Sequence, residues 1–212
     1  MKNDLDLSLY LVLDPVLCGH MGLEATARLA AAGGATIVQL RDKTAGKAHL
    51  VSTGKALKSA LVEFQIPLIV NDDVEAAVEI GADGVHVGQG DMAAAAARAV
   101  VGNRLILGLS VETEELARMV DPTIVDYVGV GPVFATATKP DHKQPIGLDG
   151  LARIVAASPV PAVAIGGLKR THVAPVLSTG AQGLAVVSAI CGTADPQRAA
   201  AKFTQEIRKA RA

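Results

Sequence analysis

Three polar residues alternate at the end of a short apolar run near position 40. Gln39, Arg41 and Lys43 are separated by single residues in the segment Gln-Leu-Arg-Asp-Lys. Because side chains along a strand point alternately to its two faces, we expect all three on the same side. A glutamine between two cations suits a ligand with a hydrogen-bonding ring and an anionic tail. The alternative is that Arg41 and Lys43 only form surface ion pairs, with Asp42 or another neighbour.

Two aspartates follow later apolar runs and are candidates for binding a metal ion. Asp72 and Asp91 each stand just after a short run rich in valine. Magnesium typically takes one or two protein carboxylates and completes its coordination with water and substrate phosphate oxygens. Beside the cations at 41 and 43, the two acids predict a magnesium–diphosphate site. Each acid has an alternative role as a helix cap, because Asp72 opens a helical pattern and Asp91 precedes the alanine-rich run 93–97.

A third group of residues has the character of a phosphate site. Gly166-Gly167 follows one apolar run, and Val187-Ser188 ends the next one along the chain. Glycine lets the backbone approach a phosphate closely, and backbone N–H groups in such loops receive anions in many parallel barrels. An isolated Gly-Gly pair is usually only a turn, so the prediction depends on its position after the seventh apolar run.

One histidine is a candidate general acid or base. His86 lies inside an apolar run, where a histidine that fills a hydrogen-bonded slot is the commoner case. No Ser–His–Asp or Cys–His arrangement can be assembled from the sequence, which argues against hydrolysis through a covalent nucleophile.

The elements that must position these residues alternate along the whole chain. Short apolar runs, separated by segments with helical spacing, predict a parallel sheet built from βα units. The predicted strands are residues 10–13, 37–40, 68–70, 84–87, 105–108, 127–130, 162–165 and 183–187. Eight strands without a dividing linker favour one α/β domain over residues 1–212, a single (β/α)₈ TIM barrel. In such a barrel the loops after the strands share one face, so the polar residues above converge there.

Composition narrows the classes of function. The 212 residues are 50% apolar and 2% aromatic, with a formal charge of −1, which offers no cationic field or stacking platform for nucleic acid. No apolar run approaches the roughly 18 residues that span a bilayer, and the N-terminus lacks a signal-peptide core. Cys18 and Cys191 have no metal-ligand spacing and are expected to stay reduced. We therefore expect a cytoplasmic protein that binds small molecules and no nucleic acid or membrane, and the sequence is compatible with a homo-oligomer.

The same residues give the chain a resemblance to the thiamine phosphate synthase family. Six segments, in order across nearly the whole chain, resemble that family. They are Val38-Gln-Leu-Arg-Asp-Lys43, Val70-Asn-Asp72, Gly81-Ala-Asp-Gly-Val-His-Val-Gly-Gln89, Gly131-Pro-Val-Phe-Ala-Thr-Ala-Thr-Lys139, Ala164-Ile-Gly-Gly167 and Val187-Ser-Ala-Ile190. Two positions depart from the pattern: Ala135 stands where many relatives have proline, and Gly90 where glutamate is frequent. Neither departure removes a matched binding group.

The resemblance implies a transferase that joins a hydroxymethylpyrimidine diphosphate to a thiazole phosphate, releasing diphosphate. The residues implied for the pyrimidine diphosphate are Gln39, Leu40, Arg41, Asp42, Lys43, Asn71, Ser110 and Lys139. Those implied for the thiazole phosphate are Thr136, Ala137, Thr138, Gly167, Val187 and Ser188. Asp72 and Asp91 would bind Mg²⁺, and the implied catalytic residues are Arg41, Lys43, Ser110 and Lys139.

Two alternatives stand beside the synthase. A related barrel isomerises the thiazole phosphate; it would not need Gln39, Arg41, Lys43 or the paired acids, and it has histidine where this chain has Pro132. A non-catalytic sensor of phosphorylated ligands would also dispense with the magnesium acids.

Overall fold

Eight parallel strands form a closed barrel in the described part of the chain. The computed structural model describes residues 5–19, 21–136 and 144–212. The strands are β1 (Leu9–Leu13), β2 (Ile37–Leu40), β3 (Leu68–Asn71), β4 (Gly84–Val87), β5 (Ile106–Val111), β6 (Tyr127–Val130), β7 (Ala162–Ile165) and β8 (Gly183–Val186). Neighbours in sequence pair in order, and β8 closes the barrel by pairing with β1. The prediction of a single (β/α)₈ fold is confirmed.

Helices follow the strands and cover the outside of the barrel. They are α1 (Pro15–Cys18), α2 (Leu23–Ala32), α3 (Lys47–Leu61), α4 (Val74–Ile80), α5 (Ala94–Val101), α6 (Glu114–Arg118), α7 (Gly147–Ala157), α8 (Val173–Leu177) and α9 (Pro196–Arg211), with 3₁₀ turns at Val62–Phe64 and Arg170–His172. None of the described helices is both long enough and apolar enough to cross a bilayer.

Four predicted strands differ in their bounds from the observed ones: β1 begins one residue earlier, β3 ends one residue later, β8 ends one residue earlier, and β5 differs most. Residues 105–108 were expected to form the fifth strand, whereas β5 begins at Ile106 and continues to Val111, where it still pairs with Val130 of β6. Ser110 therefore lies inside β5 rather than in the loop after it. Leu109 and Ser110 are both half-buried and only Val111 is buried, so their burial does not alternate, and pairing with β4 and β6 shows that the strand continues.

The core has two layers because strand side chains alternate between the inside and the outside of the barrel. The inner layer contains Tyr10, Val12, Ile37, Tyr127 and Val163 among others. The larger outer layer is mainly Ala, Val, Leu and Ile and fills the space between strands and helices. Small branched side chains suit this arrangement, since parallel strands are buried on both faces.

The two cysteines, far apart in sequence, meet beside the barrel mouth. Both thiols are free and buried, and they are hydrogen-bonded to each other. A Cβ built on Gly192 would lie 3.0 Å from the carbonyl oxygen of Leu17, so the segments after β1 and β8 run side by side.

Candidate active site

A cavity of about 170 Å³ opens at the carboxyl ends of the strands. Eight of the residues expected to contact substrate line it: Gln39, Arg41, Asn71, Ser110, Thr136, Gly167, Val187 and Ser188. They come from β2, β3 and β5 and from the loops that follow β2, β6, β7 and β8, so the shared face of the barrel brings them together. Ala137, Thr138 and Lys139 lie outside the described residues.

Of the alternating residues Gln39, Arg41 and Lys43, the first two line the cavity. Gln39 is 5% exposed and faces the cavity from within β2, and Arg41 lines the cavity just beyond the strand. Lys43 lies further out, with its ammonium nitrogen 3.6 Å from Oδ2 of Asp72. The surface ion pair that we considered for this triplet therefore exists for Lys43, and its partner is one of the two predicted metal ligands.

The side chains of Leu40 and Asp42 do not face the cavity. Leu40 is fully buried in the outer layer, because in β2 it alternates with the inward-facing Gln39. One carboxylate oxygen of Asp42 accepts hydrogen bonds from the backbone and hydroxyl of Thr44 and from the backbone of Ala45. One side chain packs the core and the other shapes a turn, so the implied binding of the pyrimidine diphosphate by Leu40 and Asp42 stays a prediction about their backbone.

Asp72 and Asp91 meet at the rim of the cavity. Burial, together with the hydrogen bond and the charge of the neighbouring Asp91 carboxyl, raises the pKa of Asp72 to about 6 against the opposing charges of Lys43 and Arg41. A carboxyl beside a like charge keeps its proton more tightly, because ionising both groups is unfavourable until a cation joins them.

The capping role considered for each acid was wrong. The cap of α4 is Asp73, whose Oδ1 accepts the backbone N–H of Ala76 at 2.8 Å, whereas Asp72 has φ 65°. The N-cap of α5 is Ala93 and has no side-chain hydrogen bond. Asp91 instead accepts the backbone N–H of Gly88 at 2.7 Å.

The donor set fits magnesium. Two carboxylates in mutual contact, with Asp72 half-buried and Asp91 exposed, match the one or two that Mg²⁺ takes from proteins. Within residues 5–19, 21–136 and 144–212, no group of three or more histidine, cysteine or acidic side chains is placed to hold a metal.

The Gly166-Gly167 pair occupies the predicted place but for a partly different reason. Both residues have positive φ, 104° and 64°. A Cβ on Gly167 would lie 2.5 Å from the carbonyl oxygen of Ala135, and one on Gly166 would lie 2.6 Å from Cα of Pro132. The glycines therefore let the loop after β6 pack against the loop after β7.

His86 occupies a hydrogen-bonded slot, which was the commoner of the two roles considered for it. Its ring is buried, with Nδ1 3.0 Å from the hydroxyl oxygen of Tyr127 and Nε2 2.9 Å from Oγ of Ser110. Both ring nitrogens are engaged with protein groups that line the cavity.

Sequence reasoning missed four polar residues that line the cavity: Tyr10, Asp14, Glu112 and Tyr127. A signal for Glu112 was present, because it stands two residues after Ser110 and period 2 places both on one side of β5. Tyr10 and Tyr127 are the two tyrosines of the chain and were overlooked as ordinary strand aromatics.

Comparison with known proteins identifies the family of the chain. The family model described as thiamine monophosphate synthase matches residues 9–190. The chain is 49% identical over 211 residues to the thiamine-phosphate synthase of Xanthobacter autotrophicus, covering 100% of both chains. It is 48% identical over 199 residues to that of a Psychrobacter species, covering 92% of each. The structure of a thiamine phosphate pyrophosphorylase from Pyrococcus furiosus superposes with a TM-score of 0.87 at 34% identity, covering 97% of this chain and 98% of that one. The chain belongs to the thiamine monophosphate synthase family.

Proposed function

We propose that this chain is a transferase of thiamine biosynthesis that works by magnesium-assisted dissociative substitution. The substrates are 4-amino-2-methyl-5-(diphosphooxymethyl)pyrimidine and a thiazole phosphate, and the products are thiamine phosphate and diphosphate. The observation that supports this mechanism best is the contact between Asp72 and Asp91 at the rim, with Arg41 and Lys43 beside it. This arrangement suits a leaving diphosphate that arrives with a divalent cation.

The two ends of the cavity would hold the two substrates. Gln39, Asn71 and Ser110 are hydrogen-bonding side chains that orient the pyrimidine ring, and Arg41 and Lys43 face its diphosphate. On the opposite side, the backbone around Gly167 and the hydroxyl of Ser188 receive the thiazole phosphate. Lys139, Thr136, Ala137 and Thr138 keep their proposed roles in diphosphate and thiazole binding.

The chemistry needs charge stabilisation rather than proton removal. The diphosphate leaves a methylene attached to an electron-rich aminopyrimidine, so a resonance-stabilised cation is accessible. Cations fixed before the reaction act on the negative charge that develops on the leaving group, and that interaction is strongest in the transition state. Magnesium, when bound by Asp72 and Asp91, supplies further positive charge to the diphosphate. The thiazole nitrogen carries no proton, so His86 can serve as a structural group.

The two alternative functions explain less of the site. Neither a thiazole phosphate isomerase nor a non-catalytic sensor requires two carboxylates held against each other at the rim. We further propose that the enzyme acts in the cytoplasm, because buried free thiols are typical of a reducing compartment.

The direct test mixes the purified chain with both substrates and magnesium, and follows thiamine phosphate and diphosphate by liquid chromatography. We expect both products in equal amounts, and none when either substrate or magnesium is omitted. Asp72→Asn and Asp91→Asn should need much more magnesium and turn over more slowly. Asp73→Asn is the matched control, since asparagine caps a helix about as well as aspartate. Overlapping magnesium titrations for all four proteins would remove the metal site from the mechanism.

A further inference from the structure

Five side chains that line the cavity form a continuous series of hydrogen bonds. Nε2 of Gln39 donates to the hydroxyl of Tyr10 at 2.8 Å, and the hydroxyl oxygens of Tyr10 and Tyr127 are 2.8 Å apart. The Tyr127 hydroxyl is 3.0 Å from Nδ1 of His86, whose Nε2 is 2.9 Å from Oγ of Ser110. This hydrogen-bonded chain joins β2 to β5 through β1, β6 and β4, and its two ends are residues that face the ligand.

The barrel interior is shaped to accommodate this chain. A Cβ on Gly108 would lie 2.4 Å from Nδ1 of His86 and 2.5 Å from the hydroxyl oxygen of Tyr127, so glycine at this position leaves space for their hydrogen bond. Burial raises the pKa of Tyr10 and of Tyr127 well above the usual range, which keeps both phenols protonated. Each phenol therefore brings one proton to donate.

The number of protons that each group can donate fixes the direction of the hydrogen bonds from Gln39 to Ser110. Tyr10 accepts from Gln39, so its own proton is left for Tyr127, the other hydroxyl partner that the described residues provide. The proton of Tyr127 then goes to Nδ1 of His86. A neutral imidazole with a bare Nδ1 has its proton on Nε2 and donates it to Ser110. Reversing the protons without rotating the Gln39 amide would leave the buried phenol proton of Tyr10 without an acceptor, which costs about 1–3 kcal/mol.

We infer that Tyr10, Tyr127 and His86 are positioning residues that fix an acceptor at Gln39 and a donor at Ser110. The amide of Gln39 is held with Nε2 on Tyr10, which leaves Oε1 as the acceptor for a ligand. Ser110 accepts from His86 and so offers its hydroxyl proton to the cavity. This inference rests on the proposed function, and it deepens that function by assigning the ligand edge: an exocyclic amino group towards Gln39 and a ring nitrogen towards Ser110.

The chain also explains how the site would reject a 4-oxopyrimidine. An oxo group at that position is an acceptor and would face the acceptor oxygen of Gln39. The amide cannot rotate alone to offer its NH₂ group, because rotation would break the bond to Tyr10 unless every proton in the chain reversed. Sites with fixed donors and acceptors discriminate strongly against mismatched analogues. We expect discrimination on the order of 100-fold or more in kcat/KM beyond the difference in intrinsic reactivity.

The first test determines the direction of these hydrogen bonds without measuring enzyme activity. Nuclear magnetic resonance of the ¹⁵N-histidine-labelled, ligand-free chain distinguishes a protonated ring nitrogen from a bare one, and His86→Asn identifies the signal. We expect Nε2–H and a bare Nδ1, and in Tyr127→Phe a mixture of the two tautomers because Nδ1 has lost its donor. A proton on Nδ1 in the parent would overturn the inference.

The second test measures the ratio of kcat/KM for the amino substrate and its 4-oxo analogue. Tyr10→Phe frees the amide of Gln39 to rotate, so this ratio should fall about tenfold or more relative to the parent, with intrinsic reactivity cancelling. Ile37→Val trims a neighbouring inner-layer side chain that lacks polar atoms and does not line the cavity, and it should leave the ratio unchanged. An unchanged ratio in a folded Tyr10→Phe would refute the inference. A parent that makes no thiamine phosphate would instead refute the proposed function, while the tautomer measurement would still stand.

Discussion

Replacing Asp72 by asparagine should make the magnesium-free protein more stable at neutral pH. The substitution removes a charge that burial and the carboxyl of Asp91 both disfavour. The backbone accepts it readily, since Asp72 has φ 65° and asparagine tolerates the left-handed region. The parent would hold this unfavourable pair of charges because the proposed reaction needs a cation site, a common conflict between stability and function.

The size and pH range of the effect follow from the pKa of Asp72, which rises from 3.8 to about 6 on folding. A rise of about two units corresponds to about 3 kcal/mol. The side chain of Asp72 is 31% exposed, so solvent screening should reduce this to about 1–2 kcal/mol. Because the folded pKa is above the unfolded one, the parent loses this stability as the pH rises from about 4 to about 6. The variant loses none, so its advantage should be full at pH 8 and absent near pH 4.

Thermal unfolding in the presence of a chelator provides the assay. For a chain of this length, 1–2 kcal/mol corresponds to a rise in Tm of about 2–8 °C for Asp72→Asn at pH 8. Asp73→Asn, which replaces the neighbouring helix cap, should leave Tm nearly unchanged. Magnesium with diphosphate should raise the Tm of the parent more than that of Asp72→Asn. The reasoning would be refuted if Asp72→Asn were no more stable than the parent at pH 8, or if its advantage were the same at pH 4.

Three further predictions concern other parts of the molecule. Gly167→Val should raise the KM for the thiazole phosphate and lower the midpoint of unfolding in urea, because its Cβ would lie 2.5 Å from the carbonyl oxygen of Ala135. Gly46→Ala is the control: its Cβ would point into open space, so both quantities should stay nearly unchanged. Ser188→Ala should raise the same KM about 10- to 150-fold, the equivalent of 1.5–3 kcal/mol for a hydrogen bond to a charged group, and an unchanged KM would remove Ser188 from the phosphate site. The hydrogen bond with Cys191 is the largest of the effects that lower the pKa of the Cys18 thiol to about 7. Cys191→Ala should therefore raise the pH at which half of Cys18 is alkylated, measured by peptide mass spectrometry. An unchanged midpoint would contradict this.

The sequence alone determined the barrel and the face that holds the site. Apolar runs of three to five residues that alternate with helical patterns are typical of a parallel sheet, and eight of them in one domain close into a barrel. Because all strands point the same way, position after a strand was enough to place Arg41, Asn71, Thr136 and Ser188 around one cavity. The family resemblance added the identities of the substrates, which spacing cannot supply.

The roles of the acidic residues required the tertiary structure. Asp72 and Asp73 are adjacent and chemically identical, and a capping signal in the sequence does not say which one starts the helix. The left-handed backbone at Asp72 turns its carboxyl towards Asp91 and leaves the cap to Asp73. A pattern of residue types contains no information about one φ angle, and that angle separates the acid that caps α4 from the acid that we propose as a metal ligand.

Contacts between residues that are distant in sequence could not be predicted from local patterns either. Tyr10 and Tyr127 are 117 positions apart, and Cys18 and Cys191 are 173 apart, yet each pair is hydrogen-bonded. Local periodicity states which face of a strand a side chain occupies, but closure of the barrel and its register decide which inward-facing groups meet. The polar groups of the cavity could therefore be predicted from local pattern, whereas the hydrogen-bonded chain that fixes their donors and acceptors exists only once β8 has paired with β1 and closed the ring.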